Sequence, residues 1–141
     1  MPEVNVVKIP DNVTFDSAAA ASMTLLTSWH MLVGRAKIQP GQLVLIMGGG
    51  SGVGNYGIQI AKLFGCTVIA TASPDKLDKL IELGADYAID HRKEDWYKQV
   101  RDISKKIIII FLKFFKNLVS FYCVKRKLFV KQLFFIKKHI F

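Results

Sequence analysis

Six of the ten residues from 48 to 57 are glycine, and they stand between two very different stretches of chain. Ahead of them Leu43-Val44-Leu45-Ile46-Met47 is an unbroken apolar run, the pattern of a parallel strand covered on both faces. Behind them Val53, Gly57, Ile60, Ala61 and Phe64 recur at helical spacing, and Gly65 supplies a C-terminal stop. A strand, a turn without side chains and a helix in that order bring free backbone N–H groups and the positive end of a helix dipole to one point. Such a point suits an anion, and a pyrophosphate in particular. Gly52-x-Gly54-x-x-Gly57 satisfies the dinucleotide-binding pattern, although several alignments of that pattern fit so glycine-rich a loop. A flexible glycine loop without a ligand is the competing reading.

The next residues extend the unit. Thr67-Val68-Ile69-Ala70-Thr71 reads as a second buried strand, and Ser73-Pro74 as an N-cap followed by proline at the first helical position. Leu77, Leu80 and Ile81 mark that helix's inner face, and Gly84 closes it. Tyr87-Ala88-Ile89-Asp90 is a short third strand, and residues 94–104 form a helix with Trp96, Val100 and Ile103 on one side. Strand and helix alternating three times predict right-handed crossovers and an α/β fold, a Rossmann-type doubly wound parallel sheet of which this chain holds the first half.

These residues resemble a known family. Gly48-Gly49-Gly50-Ser51-Gly52-Val53-Gly54, then Ile58-Gln59-Ile60-Ala61-Lys62-Leu63-Phe64-Gly65, Val68-Ile69-Ala70-Thr71 and Leu83-Gly84-Ala85-Asp86-Tyr87 resemble the medium-chain dehydrogenase/reductase superfamily, closest to its zinc-type alcohol dehydrogenases and quinone oxidoreductases. Ile9-Pro10-Asp11-Asn12-Val13-Thr14-Phe15 and Leu26-Thr27-Ser28-Trp29-His30-Met31-Leu32 are similar to the helix that enters that family's cofactor domain. The resemblance implies a nicotinamide dinucleotide cofactor and hydride transfer to or from an alcohol, carbonyl or quinone-type substrate. It also implies a preceding catalytic domain and, in full-length relatives, homo-oligomers. On this reading residues 1–14 are a link from that domain, residues 15–106 a partial dinucleotide-binding domain, and residues 107–141 an atypical tail. An isolated chain of this extent is expected not to turn over substrate.

The resemblance carries Gly50, Ser51, Gly52, Val53 and Gly54 over as the pyrophosphate turn, Thr27 as a residue near the nicotinamide side, and His91 at a position where related quinone oxidoreductases carry a cofactor-contacting tyrosine. Each has a plainer reading: Thr27 can bond its own helix backbone, and His91 can be a surface-loop histidine. NAD sites commonly place an acid at the end of the second strand, about 20 residues past the loop, to accept from the ribose 2′-OH. Ala72 stands there instead. A 2′-phosphate then meets no repulsion, and Ser73 and Lys76 can contact it, so NADP is expected over NAD. The alternatives are that Ser73 only caps a helix and Lys76 is only solvated. His30 and Trp29, beside a stripe of Phe15, Ala18, Ala21, Leu25 and Leu32, are expected to pack.

No catalytic acid, base or nucleophile is identified. Cys66 and Cys123 are the only cysteines and have no metal-ligand spacing, so neither zinc nor a disulfide framework is expected, and Cys66 reads as a small buried hydrophobe.

Charge divides the chain at residue 106. Residues 1–106 carry 12 Lys+Arg against 11 Asp+Glu, whereas residues 107–141 carry 8 against none, and that tail also lacks Gly and Pro. Its Lys, Phe and Ile are written with A/T-rich codons, so a shifted frame, a retained intron or a misassigned end would generate it. Residues 107–111 can alternatively fill the family's next strand. A third reading is a basic amphipathic helix at a membrane surface, with Lys113, Lys116, Asn117 and Ser120 on one face and Lys125-Arg126-Lys127 against anionic headgroups. Lys and Phe interleaved without a recognisable module give no ground for a nucleic-acid partner. Residues 1–9 show no export signal, and a cytoplasmic location is expected.

Overall fold

The computed structural model describes residues 7–104 and, as backbone strands, residues 109–115 and 118–124. Helix α1 (Phe15–Trp29) runs on through a π-helical segment, His30–Arg35. Strand β1 (Leu43–Met47), helix α2 (Gly52–Leu63), strand β2 (Thr67–Ala72), a 3-10 turn (Pro74–Lys76), helix α3 (Leu77–Glu82), strand β3 (Tyr87–Asp90) and helix α4 (Trp96–Ile103) follow. Strands β4 (Ile109–Phe115) and β5 (Leu118–Val124) complete one sheet of order β3-β2-β1-β4-β5. The first four strands are parallel and β5 is antiparallel to β4. This is the α/β order expected of a partial Rossmann domain.

The unbroken apolar runs do what their composition demands. All five residues of β1 are buried, with one core on each face of the sheet. On one side Val44, Ile46, Val68 and Ala70 meet α2 and α3 through Val53, Ile58, Ala61 and Leu80. On the other, Leu43, Leu45, Met47, Ile69 and Ile89 pack against Trp96 and Val100 of α4. Gly65 and Gly84 sit just past the ends of α2 and α3 at positive φ, as expected of the stops.

Four expectations are corrected in whole or in part. Ile81, placed on the inner face of α3, is half exposed, because Leu80 and Leu77 fill that contact. The apolar stripe beside Trp29 is inward only in part: Leu32 is fully buried and Ala18 and Ala21 are half-buried, whereas Phe15 is 84% exposed, and Trp29, expected to pack, is 45% exposed. The face of α1 that docks carries the buried Ser28, whereas Trp29 reaches only the Phe64 ring, edge to face at 5.8 Å. Ser73 is the N-cap position with Pro74 next, as expected, but of a 3-10 turn that precedes α3, and its side chain makes no capping hydrogen bond. Finally, residues 109–115 and 118–124 are strands, which bears out the strand alternative for residues 109–111 over the amphipathic helix: the open edge of β1 pairs Leu43 with Ile109 and Ile46 with Leu112, and β5 pairs with β4 in turn. The headgroup contact expected of Lys125-Arg126-Lys127 lies outside the described residues. Among the described residues no helix is long and apolar enough to cross a membrane.

Asp86 fastens β3 to the core. Its carboxylate accepts from the Val68 amide at 2.7 Å and from Lys62 Nζ at 2.9 Å. Burial works against the charge, but the Val68 amide and the Lys62 ammonium outweigh it and hold the carboxyl below its ordinary value. Asp86→Ala is therefore expected to cost about 1–3 kcal/mol by leaving the Val68 N–H without its acceptor. A carboxyl with a lowered folded pKa stabilises above its unfolded pKa and ceases to do so as pH falls through the folded value. The wild-type melting temperature should accordingly drop below roughly pH 4 more steeply than that of the variant. Parallel acid-melting curves would refute the assignment.

Candidate nucleotide-binding site

The site begins where β1 ends. Gly48, at φ +72°, turns the chain, and its N–H points to the Thr71 hydroxyl at 3.3 Å while the Gly49 N–H donates to the Thr71 carbonyl at 2.8 Å. The turn is thereby tied to β2. Ser51 then caps α2 in both directions: its hydroxyl accepts from the Gly54 N–H at 3.1 Å and donates to the Gly48 carbonyl at 2.7 Å.

Close packing explains the glycines. A Cβ on Gly54 would run into the Gly48 carbonyl oxygen and stand 2.7 Å from the Gly49 Cα, both backbone atoms. A Cβ on Gly52 would lie 2.9 Å from Thr24 Cγ2, and one on Gly50 2.7 Å from Lys76 Cδ. The turn therefore folds back on itself, α1 seals one flank, and the Lys76 stem crosses the other. Among the described residues, the amide N–H groups of Gly50, Gly52 and Val53 have no acceptor. Unpaired donors at the start of a 12-residue helix, beside a lysine and with no side chains in the way, fit an anionic pyrophosphate.

The remaining candidates divide. Ser73 and His91 follow the paired ends of β2 and β3, where Ala72 lies opposite Asp90 and the His91 N–H donates to the Ala72 carbonyl at 3.2 Å, and the Lys76 N–H donates to the Ser73 carbonyl at 3.0 Å. Ala72 is buried. Burial and the Arg92 charge push the His91 imidazole below its ordinary pKa against the opposing pull of Asp90. Thr27 is different: its hydroxyl donates to the Met23 carbonyl at 2.7 Å, within its own helix. The hydroxyl that connects α1 to the site belongs to the next residue. Ser28 is fully buried and donates to the Val53 carbonyl at 2.7 Å, which fixes the first turn of α2 against α1. Thr71 and Ser28 were not singled out as site residues, because nothing in their spacing shows that they face the glycine turn.

Among the described residues no group of three or more His, Cys, Asp or Glu is placed to hold a metal ion. Cys66 is buried and donates to the Gln39 carbonyl, and its thiol is pushed up by burial against the pull of Lys62.

The comparisons with known proteins agree with this geometry. Residues 52–112 match the zinc-binding dehydrogenase family. The chain is 33% identical over 95 residues to a zinc-type alcohol dehydrogenase-like protein of Schizosaccharomyces pombe, an alignment that covers 67% of this chain and 27% of that protein. It superposes on an NAD-dependent alcohol dehydrogenase at TM-score 0.71 and 46% identity, covering 74% of this chain and 31% of the other. It also superposes on a mycobacterial protein complexed with NADPH, at TM-score 0.68 and 30% identity, with 74% and 33% covered. The chain thus spans about a third of the length of the proteins it resembles. With its strand, glycine turn and helix in this arrangement, residues 52–112 are a segment of the zinc-binding dehydrogenase family of medium-chain dehydrogenases/reductases, and they correspond to part of that family's nucleotide-binding region.

Proposed function

We propose that this chain binds NADP(H) as the cofactor half of an oxidoreductase acting on an alcohol, carbonyl or quinone-type substrate. The observation that carries the reading is the turn itself: the unpaired Gly52 and Val53 amides at the helix start, with the Lys76 stem across Gly50. Gly50, Ser51, Gly52, Val53 and Gly54 would receive the pyrophosphate, Ser73 and Lys76 the adenosine ribose, and His91 would lie beside it. The cofactor supplies the hydride chemistry, and these residues bind and orient it. Thr27 would approach the nicotinamide side only by giving up its bond to Met23.

Preference for NADP over NAD rests on Ala72, which carries no carboxylate at the position where an acid would accept from the ribose 2′-OH, and on Lys76, whose stem lies beside Gly50. The two superposed proteins point to different cofactors by their descriptions, so the residues at the end of β2 decide. The residues described here do not fit a metal, and no step is assigned to one. The domains read from the sequence, with residues 15–106 as the binding unit, are part of the same proposal.

Titrating the 141-residue chain with NADPH and NADH while following nicotinamide fluorescence tests it. Saturable binding, tighter for NADPH and without quinone or aldehyde reduction, is the expected result. Absence of binding to either nucleotide would defeat the reading, and equal affinity for both would defeat the NADP preference.

A further inference from the structure

Val53 has one backbone group open and the other held. Its amide N–H has no acceptor among the described residues, whereas its carbonyl accepts from the Ser28 hydroxyl at 2.7 Å. The residue that offers a donor to the phosphates is therefore the one that α1 grips. That grip belongs to a longer seam. A Cβ on Gly52 would lie 2.9 Å from Thr24 Cγ2, one helical turn before Ser28, and a Cβ on Gly57 would lie 3.9 Å from Leu32 Cδ1, one turn after it. Residues 24, 28 and 32 thus lay one face of α1 and its π-helical continuation along the first half of α2. Gly52 and Val53, two of the open amides, both rest on it. The Ser28 hydroxyl has a single proton and two carbonyls within reach, Val53 at 2.7 Å and Thr24 at 2.9 Å. Thr24, four residues back, is the partner a serine inside a helix ordinarily takes, and the shorter contact crosses to α2 instead. Burial of Ser28 keeps water from competing for that proton.

We propose that Ser28 is a positioning residue for the nucleotide: by holding the Val53 carbonyl it keeps the Val53 amide, and the neighbouring Gly52 amide, in the orientation the pyrophosphate meets, without touching the ligand. Such support from behind is what lets open donors act without reorganising. The proposal rests on the NADP(H) reading above and deepens it. Since the pyrophosphate is common to NADP(H) and NAD(H), Ser28 sets the affinity for both and not the preference between them. An alanine at this position removes the link to α1 but leaves the Val53 carbonyl its place in the α2 ladder, so the helix itself survives the change.

Dissociation constants of the full chain for NADPH and NADH test this in wild type, Ser28→Ala, Ser28→Cys and Val100→Ala. Ser28→Ala should weaken both nucleotides by about fivefold, the equivalent of one net hydrogen bond, and leave the ratio of their affinities unchanged. Ser28→Cys, whose thiol is the weaker donor, should fall between. In amide NMR spectra of the free chain, Ser28→Ala should displace the Gly52 and Val53 resonances and reduce their response to added NADPH. Val100 is fully buried in the core on the other face of the sheet. Val100→Ala should therefore lower the melting temperature at least as far while both affinities and those two resonances stay at wild-type values. Wild-type affinity in Ser28→Ala, or an equal loss in Val100→Ala, would leave Ser28 a structural residue only. A loss confined to one nucleotide would move its action away from the pyrophosphate and overturn the assignment. Should Ser28→Ala not fold, Ser28→Cys decides by the same criteria. If the wild-type chain binds neither nucleotide, the cofactor reading itself falls, and this proposal with it.

Discussion

Gly54→Ala is expected to abolish NADPH binding and to destabilise the chain by about 3 kcal/mol, the upper end for forcing extra atoms into a packed site. The reason is the identity of what the new methyl group would meet. Its neighbours are the Gly48 carbonyl oxygen and the Gly49 Cα, and neither can move without opening the turn that ties β1 to β2. Alanine is the better helix former by about 1 kcal/mol, which offsets only part of that cost. Gly50→Ala is the matched control. Its methyl group would meet Lys76 Cδ, the far part of a flexible side chain, so stability should change by no more than about 0.5 kcal/mol. Thermal unfolding followed by circular dichroism, together with the fluorescence titration, reads both variants. A Gly54→Ala chain that melts like wild type and still binds nucleotide would show that the turn is looser than its packing indicates.

Trp96→Ala should cost about 3–5 kcal/mol, as expected for removing a large buried aromatic side chain. Trp96 is 2% exposed and lies in the core beneath α4, against residues of β1, β2 and β3. Only Val100 and the half-buried Tyr97 and Ile103 accompany it from α4, so little remains to hold the helix once the indole is gone. Stabilities of small domains are themselves only about 5–15 kcal/mol, and a loss of this size should be visible as a large fall in the urea midpoint. A change below about 1 kcal/mol would mean that the cavity collapses freely, contrary to dense interior packing.

How much of this was legible beforehand depended on whether the controlling interaction was local. Strands β1, β2 and β3 and helix α2 stand close to their predicted positions, because an unbroken apolar run and a helical apolar period are properties of neighbouring residues. The start of α2 was readable for the same reason, since the Ser51 cap spans only residues 48–54. Helix α1 was legible only in part. Leu32 of its apolar stripe is buried but Phe15 is exposed, and the buried hydrogen bond to α2 runs through Ser28, whose partner is 25 residues away. The Lys- and Phe-rich segment left a strand and a helix open, because a run of apolar residues fits either until a free sheet edge is at hand, and the strand at residues 109–115 is what the structure holds.

Sequence alone therefore determined the order of elements, the glycine turn between β1 and α2, and the absence of an acid at Ala72, all encoded in short windows of the chain. Tertiary structure decided which hydroxyls secure that turn and which loop lies beside the position after Ala72. Ser28 meets Val53 only because α1 packs on α2, and Thr71 meets Gly48 and His91 meets Ala72 only because parallel strands in register bring the ends of distant loops together. Residue spacing along the chain does not encode that register; the buried faces of the sheet do.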